Sequence, residues 1–358
     1  MSTGGEILRA ASRLARARLM RSGPAPILRP HMSTAPVLVT GATGFIGRVL
    51  VPRLLAEGRR VRVLERRPPV GEPVGGEAVS GDVTDRESLV RAFDGVSTIY
   101  NLAGVVSHLE SERAHMQEIN VGGVENVLAA ARSAGVGRVV HVSSVASVGM
   151  AERPDEPLDE SSPFPERAGT YPYIATKRRG EQVALAAAAE GQDVVVACPA
   201  FVIGAGDVNR ISTFVAEQYL RGSLRFVTDG GLSYVDVRDV VEGLLLVERS
   251  GKQGRRYILG SLDGNLSHRQ YFDLLGEVSG KRRLTLPVPA PLLVPGARVL
   301  RALHVPLPVH PDELDSSRWY WYTTPKRAIA ELGYAPHAIR EGVESMVAYL
   351  RERGMRAR

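Results

Sequence analysis

Tyr173-Ile174-Ala175-Thr176-Lys177 opens a stretch with helical spacing of apolar residues, and a separation of four places the phenol and the ammonium on one helix face. A tyrosine works as a general acid or base near neutral pH only if its phenolate is stabilised, which a neighbouring lysine does by its charge. Tyr171 has Ala175 four residues on, so only Tyr173 fits the pairing. The same spacing also arises by chance, and on an exposed face Lys177 would only solvate the helix. A second run, Val139-Val140-His141-Val142-Ser143-Ser144, reads as a buried strand ending in two hydroxyls. Strand C-terminal ends in an open α/β sheet face the ligand crevice. Ser143 reads as satisfying backbone groups at the strand exit. Ser144, one step further out, can donate a hydrogen bond to a substrate oxygen on which charge develops.

The elements that must position these groups begin at Val37-Leu38-Val39-Thr40-Gly41-Ala42-Thr43-Gly44-Phe45-Ile46-Gly47. An apolar run breaks into three glycines at three-residue spacing and gives way to Val49, Leu50, Leu54 and Leu55 at helical intervals, which predicts a strand, a tight turn and a helix. Gly41 lets the chain reverse, Gly44 lets backbone approach a pyrophosphate, and Gly47 lets the helix pack closely on the strand. The helix N-terminus offers unpaired N–H groups to phosphates. A second strand, Val61-Arg62-Val63-Leu64, ends at Glu65, where a ribose-binding acid is expected. Further strands are expected at Glu77–Ser80, Thr98–Leu102, Val139–Ser143 and Val194–Ala197. They alternate with helices at Phe45–Glu57, Arg86–Phe93, Ser111–Ser133 and Tyr173–Glu190. This alternation implies an α/β fold: a Rossmann-type doubly wound parallel sheet with a smaller C-terminal substrate-binding lobe. Residues 36–203, with 234–260 returning, make up the dinucleotide-binding domain, and 204–233 with 261–354 the lobe. Between Leu286 and Pro311 seven prolines interleave with Leu292, Leu293, Val294, Val299, Leu300, Leu303 and Val305. Two readings stand for that stretch: a helix packed on the lobe between extended turns, or a lid or lipid-touching surface.

Composition bounds the function. The 358 residues are 44% hydrophobic and 23% charged, and no apolar run reaches the ~18 residues of a membrane span, so no integral span is expected. Residues 1–32 hold six arginines against the single acid Glu6, which accounts for five of the six net positive charges. The rest of the chain lacks the electrostatic footprint of a nucleic-acid binder. Cys198 is the only cysteine, which excludes an intrachain disulfide and points to a reducing compartment, the cytoplasm. Residues 1–35 read as a loose tail or misassigned start before Met32, as a mitochondrial targeting segment, or as a surface anchor. The expected partner is a small-molecule substrate; no metal site is expected, and a homodimer is open.

Taken together, these residues resemble the extended short-chain dehydrogenase/reductase family over about 35–352. Thr40-Gly41-Ala42-Thr43-Gly44-Phe45-Ile46-Gly47 is similar to its glycine motif, Gly81-Asp82-Val83-Thr84-Asp85 to the segment beside adenine, and Asn101-Leu102-Ala103-Gly104 to its fourth-strand motif. Asn120 to Val127 resembles a family helix, and Asp159-Glu160-Ser161-Ser162-Pro163 and Tyr234 to Val240 resemble extended-family signatures. The resemblance implies Ser144, Tyr173 and Lys177 as catalytic. It implies cofactor contacts from Thr40, Gly41, Thr43, Gly44, Phe45, Ile46, Gly47, Asp82, Val83, Leu102, Ala103, Gly104, Tyr173, Lys177 and Pro199. Within the family the stretch Phe226 to Val237 and Tyr322-Thr323-Thr324-Pro325-Lys326-Arg327-Ala328 are closest to dihydroflavonol-reductase-like and hopanoid-associated epimerase-like members. Cys198-Pro199 departs from the Arg-Pro of sugar-nucleotide enzymes.

Cofactor choice rests on conflicting cues. Glu65 stands where NAD-binding members place an acid, whereas Arg66, with Arg48 and Arg67, could take a 2′-phosphate bidentately or form a solvated basic edge. The balance leans to NADP. The expected activity is an NAD(P)-dependent oxidoreductase interconverting an alcohol and a ketone or aldehyde on a fairly apolar small molecule. One alternative is a sugar epimerase or dehydratase with a retained cofactor and no net redox change. The other is a non-catalytic dinucleotide-binding protein. Val106, His108, Met150, Phe201 and Tyr234 are candidates either for the pocket or for plain packing.

Overall fold

Val37–Thr40 (β1) is apolar and buried throughout, as a central parallel strand must be when helices cover both faces of its sheet. The computed structural model describes residues 35–66, 74–107, 109–305, 307 and 310–353; the Arg-rich N-terminal stretch, Arg67 and His108 lie outside them. After β1 the chain turns at Gly41, whose φ of 65° lies in the left-handed region, and enters α1 (Phe45–Ala56). Strands β2 (Val61–Glu65) and β3 (Glu77–Ser80) extend the sheet to one side of β1. Helix α2 (Arg86–Ala92) is capped by Asp85, whose Oδ1 accepts from the Glu87 and Ser88 N–H groups. The chain then crosses back and adds β4 (Thr98–Asn101) on the other side of β1. Helices α3 (Arg113–Gln117) and α4 (Gly123–Ser133) lead to β5 (Arg138–Val142), and α5 (Pro172–Ala189), with proline in its first turn, leads to β6 (Val194–Pro199).

Beyond β6 come β7 (Phe201–Ile203), α6 (Thr213–Arg221), β8 (Phe226–Val227), β9 (Gly231–Asp236), α7 (Val237–Ser250) and β10 (Arg256–Leu259). They are followed by β11 (Asn265–Ser267), α8 (His268–Ser279), β12 (Leu286–Pro287), α9 (Ala290–Ala302), α10 (Pro311–Ser316), β13 (Tyr320–Trp321), α11 (Lys326–Leu332) and α12 (Ile339–Glu352). Among the described residues seven strands form the main sheet in the order β3-β2-β1-β4-β5-β6-β10, every pairing parallel. The direction of winding reverses between β1 and β4, which opens a crevice at their C-terminal ends. Helix α4 packs on α2 and α5, and α7 on α1 and α11, giving the two layers of a doubly wound fold.

A second sheet has β9 at its centre, paired antiparallel with β11 and parallel with β7 and β13. Tyr234 to Asp236 therefore belong to this second sheet, whereas α7 and β10 serve the first. Its core stacks Tyr234 on Tyr271 and Tyr219 on Phe272, closed by Val343, Met346 and Val347 of α12.

The helix expected over Ser111–Ser133 is broken. A 3₁₀ turn at Glu110–Glu112 precedes α3, and a π turn at Glu118–Gly122 separates α3 from α4. The wide turn directs the Asn120 amide to Val105: Oδ1 accepts from Val105 N at 2.8 Å and Nδ2 donates to Val105 O at 2.9 Å. Gly180 of α5 lies so close beneath it that a Cβ there would sit 2.2 Å from Asn120 O.

Candidate active site

Thr40 closes β1, and its hydroxyl donates to Asn101 Oδ1 at 2.8 Å while accepting from Ala103 N at 3.0 Å. The two strands at the winding reversal are thus tied at their C-terminal ends. Gly41 follows against the β4 exit: a Cβ would lie 2.9 Å from Ala103 N and from the Leu102 carbonyl carbon. At Gly47 a Cβ would meet Ala42 Cα, Ala42 O and Gly41 O at 2.6 Å. The sequence expectation had α1 packing on the strand at this glycine; the helix packs on the backbone of the turn it leaves. Gly44 N bonds Gly41 O at 3.0 Å, and the N–H groups of Phe45, Ile46 and Gly47 begin the helix without preceding turns to accept them. Leu102 and Ala103, just after β4, face this turn, whereas a Cβ on Gly104 would meet Asn120 Oδ1 at 3.2 Å; Thr43 and Gly104 are exposed. A glycine cradle opening on a helix N-terminus can hold a pyrophosphate.

At the other strand ends the positions differ in character. Glu65 is half-buried at the end of β2 with Arg66 exposed beside it, and Arg48 donates from Nε to Thr43 O at 3.1 Å across the turn. Asp82 Oδ1 accepts from the N–H and the hydroxyl of Thr84, both at 2.9 Å, which holds the loop after β3. Val83 is buried, and a Cβ on Gly123 would press on it at 3.0 Å. Pro199 is buried at the end of β6.

Ser144 and Tyr173 come together. Both are half-buried, and the hydrogen bond from Ser144 lowers the Tyr173 phenol against the stronger effect of burial, which raises it above 10.0. Ser144 Oγ also accepts from Ala146 N at 3.1 Å, which fixes its rotamer. Lys177 is buried, and Nζ donates to Val142 O at the end of β5 at 3.0 Å. Burial pulls its pKa from 10.5 to about 8, opposed by the neighbouring Cys198 and Glu181. Ser143 donates to Ser147 Oγ at 3.0 Å and is structural. Tyr171, set aside on spacing, donates from its hydroxyl to Asp315 at 2.9 Å and accepts from Trp319 Nε1 at 3.1 Å, so it joins α10 to the start of α5.

The NAD dependent epimerase/dehydratase family is matched over residues 37–260. The chain belongs to this family. It is similar to the putative dihydroflavonol 4-reductase of Synechocystis sp., 33% identical over 331 residues, covering 88% of this chain and 94% of that one. It is also similar to sterol demethylase protein B of Methylococcus capsulatus, 33% identical, with 89% and 99% covered. Among solved structures, MoeE5 in complex with UDP-glucuronic acid and NAD superposes with a TM-score of 0.70 at 26% identity, over 89% of this chain and 99% of that one. The chain is accordingly an enzyme of the extended short-chain dehydrogenase/reductase type.

In this epimerase/dehydratase-family site two groups stand out that spacing had not singled out. Glu181, one helical turn beyond Lys177, is fully buried; it accepts from Arg256 Nη1 at 2.8 Å, from Ser147 Oγ at 2.5 Å and from Cys198 Sγ at 3.3 Å. Arg256, from β10, thereby brings the last strand of the sheet to bear on α5. Asn120 Nδ2 reaches Thr176 Oγ1 at 3.2 Å, between Tyr173 and Lys177. The separation of four from Lys177 was a usable signal for Glu181. Asn120 headed the segment that resembles a family helix, but spacing gave it no role, because that role depends on the π turn. The signature glutamate Glu160 accepts from Ile258 N at 2.9 Å and covers the free edge of β10. Of the pocket candidates, Tyr234 and Met150 are core residues, Phe201 is half-buried edge-on to Tyr234, and Val106 is exposed. Among the described residues no helix is long and apolar enough to cross a membrane.

Proposed function

We propose that this enzyme transfers hydride between a nicotinamide cofactor and an alcohol, ketone or aldehyde on a fairly apolar small molecule. What carries the reading is the convergence of the Ser144 and Tyr173 hydroxyls beside buried Lys177 at the C-terminal edge of β5, on the same sheet edge as the glycine turn. In this reading Thr40 to Gly47 and Leu102 to Gly104 hold the dinucleotide, with Asp82 and Val83 near its adenine and Pro199 toward the nicotinamide. When bound, the dinucleotide supplies or accepts the hydride. The hydroxyls of Ser144 and Tyr173 hold the substrate oxygen. A phenol raised above 10.0 is protonated at neutral pH, so in the direction of reduction Tyr173 gives that proton to the oxygen as it becomes an alcohol. Lys177 stabilises the phenolate left behind.

An apolar substrate is supported by relatives whose names refer to a dihydroflavonol and a sterol. Cys198 is consistent with it, being a neutral buried group pushed well above its usual range by burial. For the cofactor we favour NADP, with Arg48 and Arg66 as its phosphate ligands; Arg66→Ala is expected to raise KM for NADPH more than for NADH. A second reading, epimerisation or dehydration with a retained cofactor, is favoured by the family description and by the UDP-glucuronic acid bound to MoeE5. A panel of alcohols and carbonyls assayed with added NAD(H) and NADP(H) tests the proposal. Turnover that shifts nicotinamide absorbance is expected, and product without any such shift favours the second reading. The proposal includes a cytoplasmic enzyme, with light scattering deciding between monomer and homodimer.

A further inference from the structure

Helix α9, with the strand before it, carries apolar side chains that the fold does not use. Ala290, Val294 and Ala297 are buried, which accounts for one face. Leu292, Val299 and Leu303 are 72%, 60% and 68% exposed, and at intervals of seven and four residues they line the opposite face. Pro295 and Gly296, also exposed, fill the same stripe with no polar group. A helix apolar on both sides is expected between two packing partners, and among the described residues only one side of α9 has protein against it. The exposure continues in neighbouring elements: Leu284 is 80% exposed, and Leu286 and Phe226, in register across β12 and β8, are also exposed. A surface this apolar is unusual on a chain that functions wholly in water.

Charge selects the occupant. From Lys281 to His310 the chain has five basic residues, Lys281, Arg282, Arg283, Arg298 and Arg301, and no acid. Arg298 and Arg301 are exposed on α9 itself, and Arg225 is exposed next to Phe226. A second copy docked symmetrically on this face would set these cations against each other. The Arg-rich residues 1–32 would do the same. An anionic surface with an apolar layer beneath it satisfies both the stripe and the cations, and a bilayer containing acidic lipids is such a surface.

We propose that α9, with Leu284 and Leu286 before it, docks this enzyme on the surface of a bilayer containing anionic lipids, with Leu292, Val299 and Leu303 entering the acyl boundary. The placement has a consequence for the site. Helix α9 packs on α10, whose Asp315 holds the Tyr171 hydroxyl two residues from Tyr173, so the docking face adjoins the element tied to the start of α5. An apolar substrate, if the proposed function holds, would reach the site from the bilayer side. The docking itself is measured without turnover, so its failure and that of the functional reading are separable.

The test is sedimentation of the full-length enzyme with vesicles of phosphatidylcholine alone and of phosphatidylcholine with 30% phosphatidylglycerol. Binding to the mixed vesicles is expected to exceed binding to the neutral ones at least tenfold and to weaken with salt. The variant Leu292→Glu/Val299→Glu/Leu303→Glu, which alters only exposed positions and keeps the N-terminal arginines, is expected to lose at least tenfold of that binding with an unchanged melting temperature. A separate Leu303→Trp variant is expected to show a blue shift of its emission on adding mixed vesicles, a readout that survives if the triple variant fails to fold. Three results would each overturn the proposal: no sedimentation of the parent, equal binding of a folded triple variant, or a triple variant that converts a dimer to a monomer without altering vesicle binding.

Discussion

Tyr173 moves the proton in the proposed reaction, so replacing it with phenylalanine removes one hydroxyl and little else. The expected loss in kcat is about 10²–10⁴-fold, the usual worth of a positioned acid or base, with an unchanged melting temperature. Unaltered turnover would take Tyr173 out of the mechanism. Lys177 is expected to behave differently, because its charge is held at a cost. Its folded value of about 8 lies below 10.5, so between those values the unfolded chain binds more protons and stability rises with pH. Below about pH 8 the penalty is complete and is on the order of 3 kcal/mol. In the cofactor-free enzyme Lys177→Met should therefore melt higher than the parent at pH 7, with the gain shrinking as pH approaches 10.5. Turnover in the direction of alcohol oxidation, where Tyr173 must act as the base, should fall and recover partly as pH rises and the unassisted phenol ionises. A variant no more stable than the parent at pH 7, with an unaltered pH–rate profile, would place this ammonium in solvent. Ser144, Tyr173 and Lys177 were legible because strand ends and helix spacing are local properties of the chain. Glu181 shared the spacing with Lys177 but was not singled out. Its burial follows from Arg256, 75 residues away, which no local pattern reveals.

Helix α5 meets the π turn through Gly180, and that contact sets how Thr176 and its neighbours face Asn120. Gly180→Ala brings a helix-propensity gain of about 1 kcal/mol. It also forces a Cβ to within 2.2 Å of Asn120 O, a backbone atom that cannot rotate away. Overpacking of this kind costs about 1–3 kcal/mol, so the clash should win, lowering both stability in denaturant melts and kcat. Gly296→Ala is the control: a Cβ there meets nothing within 4 Å, and about 0.5–1 kcal/mol of stabilisation is expected. Equal stability of Gly180→Ala and parent would mean that the two elements are not in close contact. Six of the seven strands of the main sheet were readable within a residue or two, since runs such as Val37–Thr40 and Val61–Glu65 are apolar and bounded by turns; β10 (Arg256–Leu259) was not expected as a strand. The break in the helix at Glu118–Gly122 was not, because a π turn obeys the same apolar periodicity on either side of it. The short strands of the second sheet, from two to six residues long, carry no alternation long enough to count.

At the scale of the whole molecule the parallel order and its reversal between β1 and β4 place every assigned strand end on one edge of the sheet. A ligand that binds there should stabilise the fold as a unit, by about 2.7 kcal/mol at a hundredfold excess over its Kd. Thermal melts with NADP and NAD at equal concentration should therefore rank the two, with NADP giving the larger shift; a larger shift with NAD would assign the pocket to Glu65 over Arg66. The doubly wound architecture was visible in the alternation of strands and helices, but the C-terminal lobe was visible only as the place where that alternation stops. Its sheet depends on β7 and β13 meeting β9 from positions 33 and 89 residues away in the chain (Phe201 opposite Tyr234, Tyr320 opposite Gly231). The claim that Ser144, Tyr173 and Lys177 carry a net redox reaction is tested most directly by stoichiometry. With a carbonyl substrate from the panel, the alcohol formed is compared with the supplied reduced cofactor consumed, over many turnovers. One cofactor oxidised for each alcohol formed is the expected result; product that accumulates while the supplied cofactor stays unchanged would contradict it.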